Sequence, residues 1–169
     1  SHSILATGNS PNPETRPLPT RLQNLDILLM NNQPIDLSPL VMLTQTDTHS
    51  TPVIGLSPSI VVFSIVLVDD FDFSTLTRLS RLTVRLDASG LRLTFPTTLK
   101  DLTVSRFLAE CNVGDTPLER FSRPLGFITS QELETLPKTV QHISGTFEPP
   151  SLEERLPQLF PLYDLSNPQ

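Results

Sequence analysis

Only one cysteine, Cys111, stands in this chain of 169 residues, so no internal disulfide forms and no zinc site can be assembled from thiolates. A buried, inert thiol is the simplest reading. Glycine is scarce too: six in the whole chain leave little scope for phosphate-cradling loops, and no GxGxxG, Walker or GxSxG pattern occurs. The three histidines, His2, His49 and His142, lie far apart and form no HxxxH or HExxH pair that would set two imidazoles on one helical face. Basic charge is sparse and scattered, 12 Lys and Arg against 18 Asp and Glu, for a net charge of -6 and a pI near 4.9. That balance gives no footprint for a phosphate backbone and argues against a nucleic-acid partner. The most apolar run, Ile60 to Val68, has nine residues, whereas a helix crossing a bilayer needs roughly 20. Membrane insertion by a helix is therefore not expected.

Two constellations bear on chemistry. Asp69, Asp70 and Asp72 form the only dense carboxylate group, and their oxygens could face a hard cation. They lack the glycine turn and distal Glu of a calcium loop, and read as charges that end the apolar run before them. Cys111 could meet His49 or His142 only in space, and nothing local supports such a nucleophile pair. The expectation is a non-catalytic protein with no cofactor or metal.

What the chain has in quantity is proline, 17 residues, beside many Ser and Thr, with 37% apolar and 18% charged residues. This favours strands and turns over long helices. Ser1-His2-Ser3 reads as a cloning remnant or the start of an excised domain, and residues 1–17 as an extended or disordered N-terminal arm with no apolar period. One β-rich domain is expected over 18–169.

Within that domain the phrase Phe95 to Val104, FPTTLKDLTV, sets Leu99, Leu102 and Val104 at intervals of three and two. Shifted copies start at Leu18, Leu56, Thr75, Leu136 and Leu156, and first anchors at Leu22, Leu40, Ile60, Leu79 and Leu99 follow at steps of 18, 20, 19 and 20 residues. Polar stretches at Asn31 to Pro34 and Thr44 to Pro52 read as a turn and an exposed loop. Beyond Leu99 the register loosens, with Leu125 and Ile128, then Val140 and Ile143, then Phe160, Tyr163 and Leu165 as anchors. Thr116-Pro117-Leu118-Glu119 has the grammar of a helix start and would explain the delay; Thr129 with Glu132 and Ser151 with Glu154 begin two more short helices, ended by Pro137 and Pro157. A solenoid of about 20-residue units, mainly β with short helices, follows, because each unit can bury its apolar edge only against its neighbours. Two alternatives stay open: a helix from about Ser74 to Leu86, since Leu76, Leu79, Leu82 and Leu86 also fit a helical face, and an antiparallel β-sandwich built from strands such as Ile60 to Val68, Leu82 to Leu86, Leu91 to Phe95 and Leu99 to Val104.

The units resemble leucine-rich repeats, in particular the FNIP type, in which an LPxxLxxL phrase is coupled to an Asn-x-Pro-Ile turn. Leu18-Pro19-Thr20-Arg21-Leu22-Gln23-Asn24-Leu25 followed by Asn32-Gln33-Pro34-Ile35 matches best, and Phe95-Pro96 to Leu102 second. The asparagine that ordinary leucine-rich repeats carry eight residues after the first anchor is absent: Met30, Val68, Asp87, Phe107, Glu148 and Pro168 stand there. The resemblance implies a curved scaffold that binds another protein through its strand face, without intrinsic catalysis.

Strand alternation then names that face. Its residues would be Asn24 and Asp26, Val62, Ser64 and Val66, Arg81, Thr83 and Arg85, Asp101, Thr103 and Ser105, Phe127 and Thr129, and His142 and Ser144. The partner-binding candidates are Ser64, Arg81, Thr83, Arg85, Asp101, Thr103, Ser105 and Phe127, because interfaces favour Arg and aromatic anchors among adaptable polar groups. Val62 and Val66 read instead as core residues of a strand buried on both sides. The rival function, tied to the sandwich, is a structural or receptor-engaging module, such as a viral protruding domain, binding through loops like Thr44 to Pro52 or Phe107 to Thr116.

Overall fold

In the computed structural model the described residues are 3–7, 21, 23–28, 35–40, 42–47, 53–88, 90–106 and 110–164. They form a parallel β-solenoid with a spacing of about 19 residues. Eight strands make the main sheet, each hydrogen-bonded to the next in sequence order: β1 (Ser3–Thr7), β2 (Asn24–Leu28), β4 (Gln45–Asp47), β6 (Val62–Leu67), β8 (Arg81–Leu86), β10 (Asp101–Val104), β12 (Arg120–Ile128) and β13 (His142–Phe147). Between them run short strands on the opposite side. There β3 (Ile35–Asp36) pairs with β5 (Val53–Gly55), while β7 (Phe71–Asp72), β9 (Arg92–Thr94) and β11 (Glu110–Cys111) form a three-stranded parallel sheet.

The reason lies in a switch of period inside each unit. In β6 and β8 the period is two, with Phe63, Ile65 and Leu67 buried in the one and Leu82, Val84 and Leu86 in the other. Register stacks like on like: Phe63 beside Leu82 beside Leu102, and Ile65 beside Val84 beside Val104. On the return leg the period is three. Leu76 N–H donates to Phe73 O at 3.0 Å and Leu79 N–H to Leu76 O at 3.1 Å, and Leu37, Leu40 and Leu43 repeat this at 3.0 Å each. Such tight turns satisfy the backbone locally and aim each third side chain inward. Phe73 packs edge-on against Phe63 at 6.1 Å and stacks on Phe95 at 6.0 Å between ring centres, so the core runs continuously from coil to coil. Burying a side chain such as Leu82 completely is worth about 1.5–3 kcal/mol relative to exposing it, and only the neighbouring coils supply that cover.

Polar side chains tie the coils together where no asparagine ladder exists. The residue before the anchor repeatedly donates its hydroxyl to the anchor carbonyl of the preceding coil: Ser59 to Leu43 O at 2.5 Å, Thr98 to Leu79 O at 2.7 Å and Thr139 to Leu118 O at 2.7 Å. Asn112 does a related job once, its amide pairing with both N–H and C=O of Phe95 at 2.6 and 3.0 Å. At two of the turns onto the return leg an aspartate accepts from the residue two further on, Asp36 from Ser38 and Asp72 from Ser74, and these bonds hold both carboxyls below the usual range.

Several expectations are corrected. Structure begins before Leu18, since Ser3–Thr7 pairs in parallel with β2; residues 1–2 and 8–17 of the expected arm, like Leu22, the turn at Asn31 to Pro34, His49 and Leu165, lie outside the described residues. The expected loop Thr44 to Pro52 contains β4, so the second anchor is Leu43 rather than Leu40; the two are equally buried and three apart, which hid the difference. The helix over Ser74 to Leu86 is a pair of tight turns followed by β8. The strands proposed for a sandwich exist, but they pair in parallel with their sequence neighbours.

No helix starts at Thr116. Its buried hydroxyl donates back to Val113 O at 2.7 Å, closing a 3-10 turn over Val113–Asp115, and β12 begins on time at Arg120 with Leu118 and Phe121 as inward anchors. Leu125, an expected anchor, is instead 75% exposed. The start at Thr129 is found: it precedes α1 (Ser130–Thr135), which gives way before Pro137. The third start is a 3-10 turn over Pro150–Arg155 running into α2 (Leu156–Leu159), where Pro157 sits in the first turn of α2 rather than ending a helix.

Candidate functional site on the outer strand face

One side of the main sheet packs on the core and the other meets solvent. Parallel register aligns the outward residues into rows that cross the strands. The first row is Asn24, Gln45, Val62, Arg81, Asp101, Arg120 and His142; the second is Asp26, Asp47, Ser64, Thr83, Thr103, Ser122 and Ser144. Val66 and Arg85 begin a third row along the far end of the strands, beside Ser105. In-register neighbours stand roughly 4.8 Å apart.

All eight candidate residues are on this face, and they differ in how far their groups are engaged. Arg81, Thr83 and Arg85 are exposed, in strict alternation with the buried Leu82, Val84 and Leu86. Arg81 Nε lies 3.5 Å from Asp101 Oδ2, and Arg85 Nε lies 3.2 Å from Asp87 Oδ1. Thr103 sits half-buried between Thr83 and Ser122, and Ser64 half-buried beside Thr83. Ser105 is structurally engaged: its hydroxyl oxygen accepts the Leu86 N–H at 2.9 Å, extending the pairing of β8 with the following coil. Phe127 is 56% exposed and lies opposite Thr146, beyond an irregularity in β12 where residues 123–126 face only Gly145. Val62 and Val66 are half-buried on the outer face rather than buried on both sides.

Arg120 and Ser122 do not emerge from the sequence pattern while Leu125 serves as the anchor. Leu118 and Phe121, 19 residues after Leu99 and Leu102, carried the signal, and their polar neighbours follow from alternation. Thr129 belongs to the start of α1 and not to a row. His142 is half-buried, its Nε2 3.9 Å from Asp164 Oδ2.

Other chemistry finds little to work with. Among the described residues no group of three or more His, Cys, Asp and Glu could hold a metal ion. Asp70 Oδ1 instead accepts the Arg92 N–H at 2.8 Å, tying the end of one coil to the next. Burial pushes the Cys111 thiol up from its ordinary pKa, which favours the protonated form at neutral pH. No described helix is long and apolar enough to cross a membrane. The fold thus defines a parallel β-solenoid whose main sheet has an open strand face. Comparison with protein-family models, with curated proteins and with solved structures gave no match.

Proposed function

We propose that the chain is a non-catalytic scaffold that binds another protein through the outer face of its main sheet. The observation that carries this reading is the alternation of β8, which leaves Arg81, Thr83 and Arg85 exposed in a row while the residues between them anchor the core. A rigid sheet presenting Arg, hydroxyls and the half-buried Val62 and Val66 supplies polar contacts at low ordering cost, with apolar surface beside them. The leucine-rich-repeat resemblance belongs to the same proposal, supported by the phrase Phe95 to Val104, whose anchors Leu99, Leu102 and Val104 are all buried.

Selection of binders from a protein-display library against the immobilised chain tests the face. Thr83→Trp with Thr103→Trp places bulk on the rows without changing charge; Thr94→Trp, an exposed position on β9 at the other side, is the control. Binders that hold to the wild type and the control but not to the double variant support the reading. Binders lost only with the β9 variant would move the site to the opposite side of the solenoid.

A further inference from the structure

We propose that the occupant of this face is an acidic protein segment carrying an apolar side chain, seated over β8, β10, β12 and β13. The inference rests on the outer-face reading and adds to it the chemistry of the partner. The chain as a whole carries a net charge of -6, yet the neighbouring β8, β10 and β12 and the residues that follow them concentrate positive charge. Arg81 and Arg85 lie on β8, Arg120 on β12 and Arg106 just after β10, which is four of the chain's 12 basic residues, against Asp101 and Asp87. Lys100 and Glu119, at the starts of β10 and β12, offset each other at 3.3 Å.

The aspartates do not neutralise this patch. Arg81 and Arg85 remain 64% and 72% exposed in their ion pairs, and pairs so open to water contribute little and hold their partners weakly. Arg120 is exposed between Asp101 and His142 in the row. Along the same strands Thr83, Thr103, Ser122 and Ser144 set a line of hydroxyls beside the arginines, the donors that carboxylates accept from. Phe127, 56% exposed on the same face, offers the apolar contact, and Leu125 at 75% exposed stands two residues away on the same irregular stretch. Toward the other end of the sheet the sign reverses. Asp47 occupies the second row there, and the exposed Asp69 and Asp70 follow β6, which confines an acidic occupant to the later coils. A nucleic acid fits less well, because Asp101 interrupts the arginine row at the point where a regular phosphate track would need a cation.

The test is fluorescence anisotropy with the full chain and three labelled probes: a short glutamate–leucine peptide ending in phenylalanine, its lysine–leucine counterpart, and a single-stranded oligothymidylate. The acidic peptide is expected to bind, more weakly as salt rises, and the lysine peptide not to. Arg81→Glu with Arg120→Glu is expected to weaken it about tenfold or more, and Phe127→Ser to weaken it severalfold with the salt dependence unchanged. Thermal unfolding like that of the wild type shows that the variants are folded. Equal binding of both peptides, no binding of the acidic one, binding indifferent to the charge reversal, or tighter binding of the oligonucleotide overturns the proposal. Any of these results leaves the outer-face reading to stand or fall separately on the uncharged tryptophan variants.

Discussion

The guanidinium of Arg123 and the carboxylate of Glu132 meet through two parallel hydrogen bonds inside the solenoid, with 2% and 4% of the side chains exposed. Arg123 stands in β12 at the inward place that Val104 and Val84 hold in the preceding coils. Its remaining donors are spent on three carbonyls, Val104 O at 3.1 Å, Arg106 O at 2.9 Å and Phe127 O at 3.0 Å, so one side chain ties the end of β10, both sides of the irregularity in β12, and α1. Removing the cation leaves those carbonyls and a buried carboxyl without their donor. Arg123→Met is expected to cost about 3–5 kcal/mol, read by urea denaturation, and Glu132→Gln less, about 2–3 kcal/mol, since one amide oxygen still accepts from Arg123 while the NH2 group that replaces the other oxygen cannot. Equal costs would mean that the charge of Glu132, rather than the hub at Arg123, governs this region.

The same pair gives a pH dependence with a definite sign. Burial pushes the Glu132 carboxyl up, and the hydrogen bonds and charge of Arg123 offset that only in part. A carboxyl raised in the folded state holds its proton where the unfolded chain has lost it, so its contribution to stability falls as pH rises from the ordinary glutamate range through the raised value. The stability of the wild type relative to Glu132→Gln, followed by thermal unfolding at successive pH values, is therefore expected to decline across that window and then level. A difference that grows with pH would show Arg123 outweighing burial.

Thr46 occupies the inward row between Leu25 and Phe63, 2% exposed, with a hydroxyl that makes no hydrogen bond. A hydroxyl desolvated without a partner opposes folding by about 1–3 kcal/mol. Thr46→Val keeps the branched shape and removes the penalty, so the variant is expected to be more stable by about 1 kcal/mol in chemical denaturation. A loss of stability would place an unseen acceptor or water at this hydroxyl.

The hydroxyl ladder predicts additive losses. Thr98→Val and Thr139→Val each delete one bond to the preceding coil and are expected to cost about 1 kcal/mol apiece. The two bonds lie in different coils, so the double variant is expected to lose the sum. A double loss well beyond the sum would mean that these coils unfold as one tightly coupled block.

The sequence showed the solenoid where propensity and burial agree. In Leu79-Leu82-Val84 and Leu99-Leu102-Val104 the switch from period three to period two is uninterrupted, and all six residues are buried. It misled where two registers cost the same on paper: Leu40 and Leu43 are both buried and three apart, and only strand pairing selects Leu43. At Thr116 the residues of a helix cap were real but served a 3-10 turn, because continuing β12 in register buries Leu118 and Phe121. Arg123 was beyond reach for a different reason. A charged residue in an inward row breaks the apolar pattern, and its partner lies nine residues on in another element, so the hub exists only once α1 folds back beneath the sheet. For the face, alternation alone was enough to place Arg81, Thr83 and Arg85; Arg120 and Ser122 needed the register.

Gly145 shows how closely the last two strands approach. It lies in β13 opposite the irregular stretch of β12 with φ +151°, and a Cβ there would stand 2.8 Å from Ile128 Cδ1 and 3.1 Å from the Arg123 carbonyl oxygen. Ile128 is buried and the Arg123 backbone is held by its own side chain, so neither yields easily. Gly90 is the comparison, with φ +74° and open space where a Cβ would stand. Alanine at Gly90 is expected to cost only the backbone term of about 1 kcal/mol, whereas Gly145→Ala adds a steric clash on core atoms and is expected to cost about 2–4 kcal/mol. Thermal unfolding of the two variants side by side separates the effects. A Gly145→Ala protein as stable as Gly90→Ala would mean that β12 moves away from β13 freely, and that the platform carrying Phe127 is not rigid.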